Sequence, residues 1–400
     1  MIEERVLQFG TGVLLRALVV AAVDAANRAG RGAGRIVVVQ STPSGSAAAM
    51  NAQNGRFTLV ERGVVNGTPV DRTRQVDAIS RALVADKKWE QVRALARRAE
   101  LRVIVSNVTE AGFREDGPFA ARLAELLHDR FVALPDGPAM FVIPTELIPD
   151  NGRRLAEMVA HHAARLTGGA KFRDWLAARV RFCSSLVDRI TTAGPTDADP
   201  LRTVTEPYSL WAIEGEPDCL RAAFPIDSPP EVVFATDITT YRDRKLRLLN
   251  GAHTATVPVA LLAGVPTVRE AITDQRVGSF MRRILFDEIL PAAGLSDPAD
   301  AANFARSVWE RFSNPWLEHR WQAIAQNQVE KWAVRVAPTV ARFVAQRGRV
   351  PEGLALAAAA GPPRAEAGPR DFETAVTRWR GVLDASGIDA ALQTLAGIPA

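Results

Sequence analysis

Lysine is nearly missing from this chain. Of 49 basic residues only five are lysine, namely Lys87, Lys88, Lys171, Lys245 and Lys331, and the rest are arginine. Cysteine is nearly missing as well. Cys183 and Cys219 form no CxxC, which argues against a disulfide framework or a zinc ribbon, and both are expected as buried, reduced thiols. No His/Cys/Asp cluster has zinc-site spacing, and the adjacent His161 and His162 are expected on the surface, so no metal is expected. Runs of five or six like charges are absent, and the net charge is only +4 over 400 residues, which argues against a nucleic-acid stripe. The apolar stretch Val13–Val23 is too short to span a bilayer and carries Arg16. The N-terminus shows no charged leader or cleavage site. The expectation is a cytoplasmic protein with no nucleic-acid or membrane partner; its oligomeric state is not legible.

What is present suits a large soluble globular protein. Hydrophobic residues make up 47% and charged residues 24%, ordinary values for a globular chain long enough for two domains. In the first 150 residues, short apolar runs alternate with helical periods. Arg5–Phe9, Arg35–Gln40, Leu101–Ser106 and Ala139–Ile143 read as strands; Val13–Ala29, Lys88–Ala99 and Phe119–His128 read as helices. Near-continuous β-branched runs separated by helices predict a parallel sheet covered on both faces. After about residue 240 strand-like runs vanish and prolines punctuate long helical segments. Gly361–Gly368 reads as a linker or surface loop. The predicted fold class is α/β, with a doubly wound Rossmann-type domain at 1–235 and a mostly α-helical domain at 236–400.

A glycine-rich turn joins the first strand to the first helix: Phe9-Gly10-Thr11-Gly12-Val-Leu-Leu15-Arg16. Two glycines permit a tight turn and close approach of a pyrophosphate to the helix N-terminus, although Leu15 stands where the usual fingerprint has a third glycine. Phe9, Gly10, Thr11, Gly12, Leu15 and Arg16 are the candidate dinucleotide contacts here. The second strand ends in Gln40-Ser41-Thr42 rather than in an acid, so charge does not decide between NAD and NADP; Gln40 is the candidate ribose contact. Asn107 and Glu110 follow a buried strand at its carboxyl end, where doubly wound folds bind ligands, and are candidates for the nicotinamide side.

One of the few lysines, Lys245, lies among Arg242, Arg244 and Arg247, five residues before Asn250 and eight before His253. Arginine keeps its proton in a protein, whereas lysine titrates once its pKa is lowered, as like charges nearby are expected to do. On a regular helix of about 100° per residue, positions 245, 250 and 253 fall at roughly 0°, 140° and 80°, and position 242 at roughly 60°, on one broad face.

Taken in order, Gly10-x-Gly12-x-x-x-Arg16, Ser106-Asn-Val-Thr-Glu110, Thr145-Glu-Leu-Ile-Pro-Asp-Asn151-Gly152, Leu186-Val-Asp188-Arg189-Ile190 and Lys245-x4-Asn250-x2-His253 resemble the mannitol dehydrogenase family, the polyol-specific long-chain dehydrogenases. The segments Val6–Gly10, Glu206–Gly215 and Leu248–Thr254 are similar to the branch that interconverts keto-hexuronates and hexonates. The resemblance implies NAD as cofactor, a small sugar acid as substrate, and metal-free catalysis with Lys245 as general acid/base and Asn250 and His253 orienting the reacting oxygen. Asn151, Asp188, Arg189 and Arg242 are further candidates for substrate contacts, the two arginines because a planar guanidinium pairs a carboxylate in bidentate fashion. Read from the residues alone, Asn151 is equally a helix cap, Asp188-Arg189 a surface ion pair, and the arginines structural. The chain departs from the family at Ser184, where relatives often carry an asparagine that helps hold the substrate oxygen. A polyol or polyol-phosphate dehydrogenase is the alternative enzyme reading, and a dinucleotide-binding sensor without turnover is a third.

Overall fold

The computed structural model describes residues 3–108, 112–195, 199–316 and 318–398; the candidate Glu110 lies outside them. The chain divides into two units. One comprises residues 1–62 and 71–238, the other residues 63–70 and 239–400.

The strands in chain order are β1 (Glu4–Phe9), β2 (Arg35–Gln40), β3 (Phe57–Val65), β4 (Thr68–Val76), β5 (Ile79–Val84), β6 (Val103–Ser106), β7 (Met140–Pro144), β8 (Val180–Phe182), β9 (Ser185–Asp188), β10 (Thr191–Ala193), β11 (Thr203–Thr205), β12 (Leu210–Glu214) and β13 (Val232–Ala235). Six of them form one parallel sheet in the order β5-β2-β1-β6-β7-β8. Successive side chains point to opposite faces, so Val6, Ile36, Val38, Val103 and Val105 enter one core while Leu7, Phe9, Val37, Val39 and Ile104 enter the other. Burial on both faces is why these strands read as unbroken apolar runs, and the doubly wound arrangement is as expected. The direction of winding reverses between β1 and β6, where such sheets bind ligands at the carboxyl ends of their strands.

Beyond the expected strands are two smaller sheets, β10-β11-β3-β4 and β13-β12-β9. The β3–β4 hairpin turns at Asn66-Gly67, both with positive φ (50° and 74°), a pairing that suits a two-residue hairpin turn. Its tip, residues 63–70, belongs to the second unit, where the Gly67 N–H donates to Glu310 (2.9 Å).

The second unit is otherwise helical. Its centre is the helix Gly251–Leu262, buried without interruption from Gly251 to Ala260, as expected for a helix that is apolar all round. Pro258 lies inside it. Proline has no N–H, so the Thr254 carbonyl four residues earlier loses its helical donor. The side chain of Gln328 supplies the missing bond, its Nε2 donating to Thr254 O at 2.7 Å. This docks the helix Gln328–Arg335 beside the turn that carries His253.

Candidate active site

In the first unit a cavity of about 270 Å³ opens at the carboxyl ends of β1, β2 and β6. It is lined by Phe9, Gly10, Thr11, Gly12, Gln40, Ser41, Thr42, Asn107 and Val108, with Phe119 and Arg122 from the helix Pro118–Ala133. Gly10 is held at φ 124°, and a Cβ there would lie 2.8 Å from Leu15 Cδ1 and 3.0 Å from the Asn107 carbonyl. Leu15 is buried beneath the turn, so glycine is required above it. A Cβ on Gly12 would meet nothing within 4 Å, so this position faces open space. No side chain caps the helix that starts after Gly12. A bare backbone corner at a helix N-terminus, open on the cavity side, fits a pyrophosphate.

Phe9, Gly10, Thr11, Gly12, Gln40 and Asn107 therefore line the crevice, and Leu15 and Arg16 stand behind it. Arg16 is buried, with Nη1 donating to Thr11 O (2.6 Å) and Nε to Thr203 Oγ1 (3.0 Å). Burial pushes its guanidinium down to about 10, although Asp199 opposes the shift. Its bonds brace the glycine turn from within. Gln40 is also tied down: its Nε2 donates to Thr42 O (2.9 Å) and its Oε1 accepts from Ala47 N (3.0 Å), shaping the loop that follows β2. Asn107 donates to Thr145 Oγ1 (3.0 Å), and beneath it Glu146 accepts from Val108 N (2.8 Å) and Ser106 Oγ (3.2 Å). Burial raises the Glu146 carboxyl. Sequence reasoning missed Phe119, which meets Phe9 edge-on at 5.2 Å, and Arg122, which bonds Asp86 at 2.6 Å. The signal was Pro118, which opens the helix that follows β6.

In the second unit Lys245 and Asn250 bound a π-helical segment, Lys245–Asn250, which runs into the helix Gly251–Leu262. A regular α-helix was expected. The wider i→i+5 turn stacks residues five apart, so Lys245 and Asn250 are better aligned than the expected wheel placed them. A second π segment, Arg16–Val20, follows the glycine turn. His253 is 7% exposed, stacked on Phe312 at 4.4 Å and 28°, with His319 edge-on at 5.2 Å and Trp321 at 6.0 Å. This aromatic box fixes the imidazole plane. Burial lowers the pKa of His319. Of the flanking arginines, Arg244 is paired with both oxygens of Asp300 (2.6 and 2.7 Å) and Arg247 donates to the Val334 carbonyl. Arg242 donates to Thr239 Oγ1 (3.2 Å).

Three expected substrate contacts are engaged within the first unit. The amide of Asn151 donates to Pro144 O, Glu146 O and Ser185 O and accepts from Ser185 N (2.9 Å). It clamps the end of β7 to β9 and does not cap its helix, since Asp150 holds that position at φ 52°. Next to it, a Cβ on Gly152 would lie 2.4 Å from Ser184 N. Asp188 and Arg189 are buried, not a surface pair. The Arg189 side chain is 5% exposed and reaches Glu61 (2.6 Å), Ala17 O (2.6 Å) and Glu206 O (3.2 and 3.3 Å). To bind a substrate carboxylate it would have to release Glu61, so it is a cross-brace and not the expected clamp. Cys183 is buried and its thiol is pushed up to about 12, which keeps it protonated, whereas Cys219 is exposed, contrary to expectation. No group of three metal-ligating side chains is found among the described residues, and no helix there is long and apolar enough to cross a membrane.

A parallel sheet with a glycine crevice at its switch point, together with a helical unit bearing Lys245, Asn250 and His253, is the architecture of a dinucleotide-dependent dehydrogenase. The chain belongs to the mannitol dehydrogenase family: the family's Rossmann domain matches residues 4–221 and its C-terminal domain residues 237–362. It is 36% identical over 378 residues to an altronate oxidoreductase of Bacillus subtilis (strain 168), covering 88% of this chain and 77% of that protein. It is 35% identical over 383 residues to an altronate oxidoreductase of Cronobacter sakazakii, covering 89% and 79%. Among solved structures, the mannitol 2-dehydrogenase of Pseudomonas fluorescens, in a ternary complex with NAD and D-mannitol, superposes with a TM-score of 0.73 at 22% identity, covering all of this chain and 95% of that one. A D-sorbitol dehydrogenase gives 0.80 at 20% identity, covering 98% and 95%. These two share the fold.

Proposed function

We propose that this protein is a cytoplasmic, NAD-dependent oxidoreductase that interconverts a keto-hexuronate, tagaturonate, and its hexonate, altronate. The observation that carries this reading is 33–36% identity along 88–90% of the chain to proteins named altronate oxidoreductase. The geometry supports it: the crevice suits a dinucleotide, and Arg122, the cation on its rim, already bonds Asp86, leaving no evident partner for a 2′-phosphate.

When bound, the reduced cofactor supplies a hydride to the substrate's carbonyl carbon. The charge that develops on the carbonyl oxygen needs a proton and hydrogen-bond donors. Lys245 gives the proton, and Asn250 and His253 hold the oxygen in line. In the oxidative direction the neutral amine of Lys245 takes the proton from the hydroxyl. The aromatic box keeps His253 in one orientation throughout.

The test is a panel of keto-hexuronates, neutral ketoses and polyol phosphates assayed by NADH absorbance. Tagaturonate should give the highest kcat/KM by at least an order of magnitude. A neutral ketose or a phosphorylated polyol at the top of the ranking would overturn the assignment in favour of a polyol or polyol-phosphate dehydrogenase.

The crevice is tested by Gly12→Asp. Gly12 has φ −66° and ψ 161°, which any residue adopts, and its Cβ direction is empty. Aspartate is a good N-cap, so stability should stay within about 1 kcal/mol. Its carboxylate would occupy the place of the pyrophosphate and repel it, so NADH affinity should fall at least tenfold, roughly the effect of 1.4 kcal/mol. Unchanged affinity in fluorescence titration would remove the turn from the cofactor site.

A further inference from the structure

A substrate carboxylate needs a cation, and the two arginines expected for it are bonded elsewhere: Arg189 to Glu61 and Arg242 to Thr239. The helix Gln328–Arg335 offers another. Lys331 and Arg335 lie four residues apart, on one face of it. Both are half-buried, and among the described residues no acidic side chain pairs with either. The Lys331 ammonium donates to the Ile324 carbonyl at 2.8 Å. Arg335 makes one long bond, from Nη1 to Thr254 Oγ1 at 3.4 Å.

This arrangement is costly. Like charges at i,i+4 repel, and half-burial removes the water that would screen them. Both groups are accordingly shifted toward the neutral form, first by burial and, for Lys331, also by the neighbouring Arg335. Some other arginines at comparable depth have acids, Arg244 with Asp300, Arg283 with Glu288 and Arg364 with Glu373, and others, such as Arg130, give several bonds to backbone carbonyls; among the described residues Arg335 has neither.

The position of Arg335 says where its counter-ion belongs. A Cβ on Gly251 would lie 3.3 Å from the Arg335 carbonyl, and the guanidinium reaches Thr254. Arg335 therefore spans the turn Gly251–Thr254, which begins after Asn250 and contains His253. Gln328 locks this docking by filling the bond that Pro258 removes.

We propose that Arg335 receives the substrate's terminal carboxylate, with the charge of Lys331 behind it, and so sets the preference for sugar acids over neutral ketoses. This rests on the keto-hexuronate reading above. The planar guanidinium offers the fork that a carboxylate accepts in bidentate fashion, and the anion relieves the repulsion within the helix.

The test compares wild type, Arg335→Leu and Arg335→Lys on tagaturonate and on the matching neutral ketose, with NADH. Losing a charged hydrogen-bonded pair should raise KM for the uronate about 10- to 100-fold in Arg335→Leu, with kcat changed much less. KM for the neutral ketose should stay within about threefold, so the preference narrows; a residue that only supports the fold would shift both substrates together. Arg335→Lys, which keeps charge but not the fork, should fall between. Because Arg335→Leu removes a repulsion, its melting temperature should equal or exceed that of wild type. If both variants keep the uronate preference of wild type, Arg335 is not the carboxylate site, while the keto-hexuronate reading stands. If wild type itself prefers the neutral ketose, the functional reading falls and this proposal with it.

Discussion

Lys245→Ala should lower kcat by at least ~10²–10⁴-fold while leaving NADH affinity unchanged, because positioned proton transfer contributes about that much and the proposed cofactor contacts lie in the other unit. Lys245→Arg should be nearly as damaging, since arginine keeps the charge but does not release a proton. The comparison matters because this chain uses arginine almost wherever a cation suffices, and lysine at only five positions. The three arginines around Lys245 are bonded within the helical unit, Arg242 to Thr239, Arg244 to Asp300 and Arg247 to the Val334 carbonyl. Their roles are met by arginine, whereas the proton transfer proposed for Lys245 requires an amine. Asn250 sits one π turn away, so Asn250→Ala should also slow turnover, by less. An Ala or Arg variant at position 245 with kcat within about tenfold of wild type would remove Lys245 from the chemistry.

Parts of this molecule were legible in the sequence because they obey local rules. The parallel sheet announced itself through Ile36-Val-Val-Val39 and Val103-Ile-Val-Ser106, runs apolar enough to be buried on both faces. The glycine turn was legible in outline, but not the reason for its missing third glycine, which is that Leu15 fills the space under Gly10. The β3–β4 hairpin was missed although Asn66-Gly67 is a strong turn signal; the charged residues of β4, such as Asp71, Arg72 and Arg74, masked the strand. The π turn at Lys245 could not be read, because one-residue changes in helical pitch leave no pattern in composition. Arg189 was misread for a different reason. Its partner Glu61 is 128 residues away, and pairing over that distance depends on the fold rather than on spacing. The bond between Gln328 and Thr254, 74 residues apart, is the same kind of fact, although Pro258 signals that a carbonyl nearby needs a donor. Local chemistry thus made the lysine, asparagine and histidine candidates, while the partners of the 44 arginines are set by the fold.

Glu288→Ala should destabilise the helical unit by about 3–5 kcal/mol, the range for breaking one partner of a buried ion pair. Glu288 is 2% exposed. Its carboxylate accepts from Arg283 Nε (3.1 Å) and from the backbone N–H groups of Gly353 and Leu354 (both 2.8 Å), in the first turn of the helix Glu352–Ala360. That helix has no side-chain cap of its own, so a carboxylate from a distant segment satisfies its orphan donors and meets the positive end of its dipole. Gly353 is required there, because a Cβ would lie 2.8 Å from Ile284 and about 3 Å from the Glu288 oxygens. Arg283 extends the tie in the other direction, donating to the carbonyls of Leu395 (3.0 Å) and Ile398 (2.6 Å) at the end of the helix Arg370–Ala396. One ion pair thus holds the start of one helix and the end of another. Removing Glu288 takes the buried guanidinium's counter-charge and leaves two N–H groups unmet; removing Arg283 takes the buried carboxylate's counter-charge and leaves two carbonyls unmet. The double variant Arg283→Met/Glu288→Leu leaves no buried charge, so it should be less destabilised than the sum of the two single replacements, with the unmet N–H groups of Gly353 and Leu354 accounting for most of the remaining loss. Urea unfolding followed by far-ultraviolet circular dichroism reads these differences. A Glu288→Ala protein within 1 kcal/mol of wild type, or a double variant whose loss equals or exceeds the sum of the singles, would show that the pair does not hold these helices together.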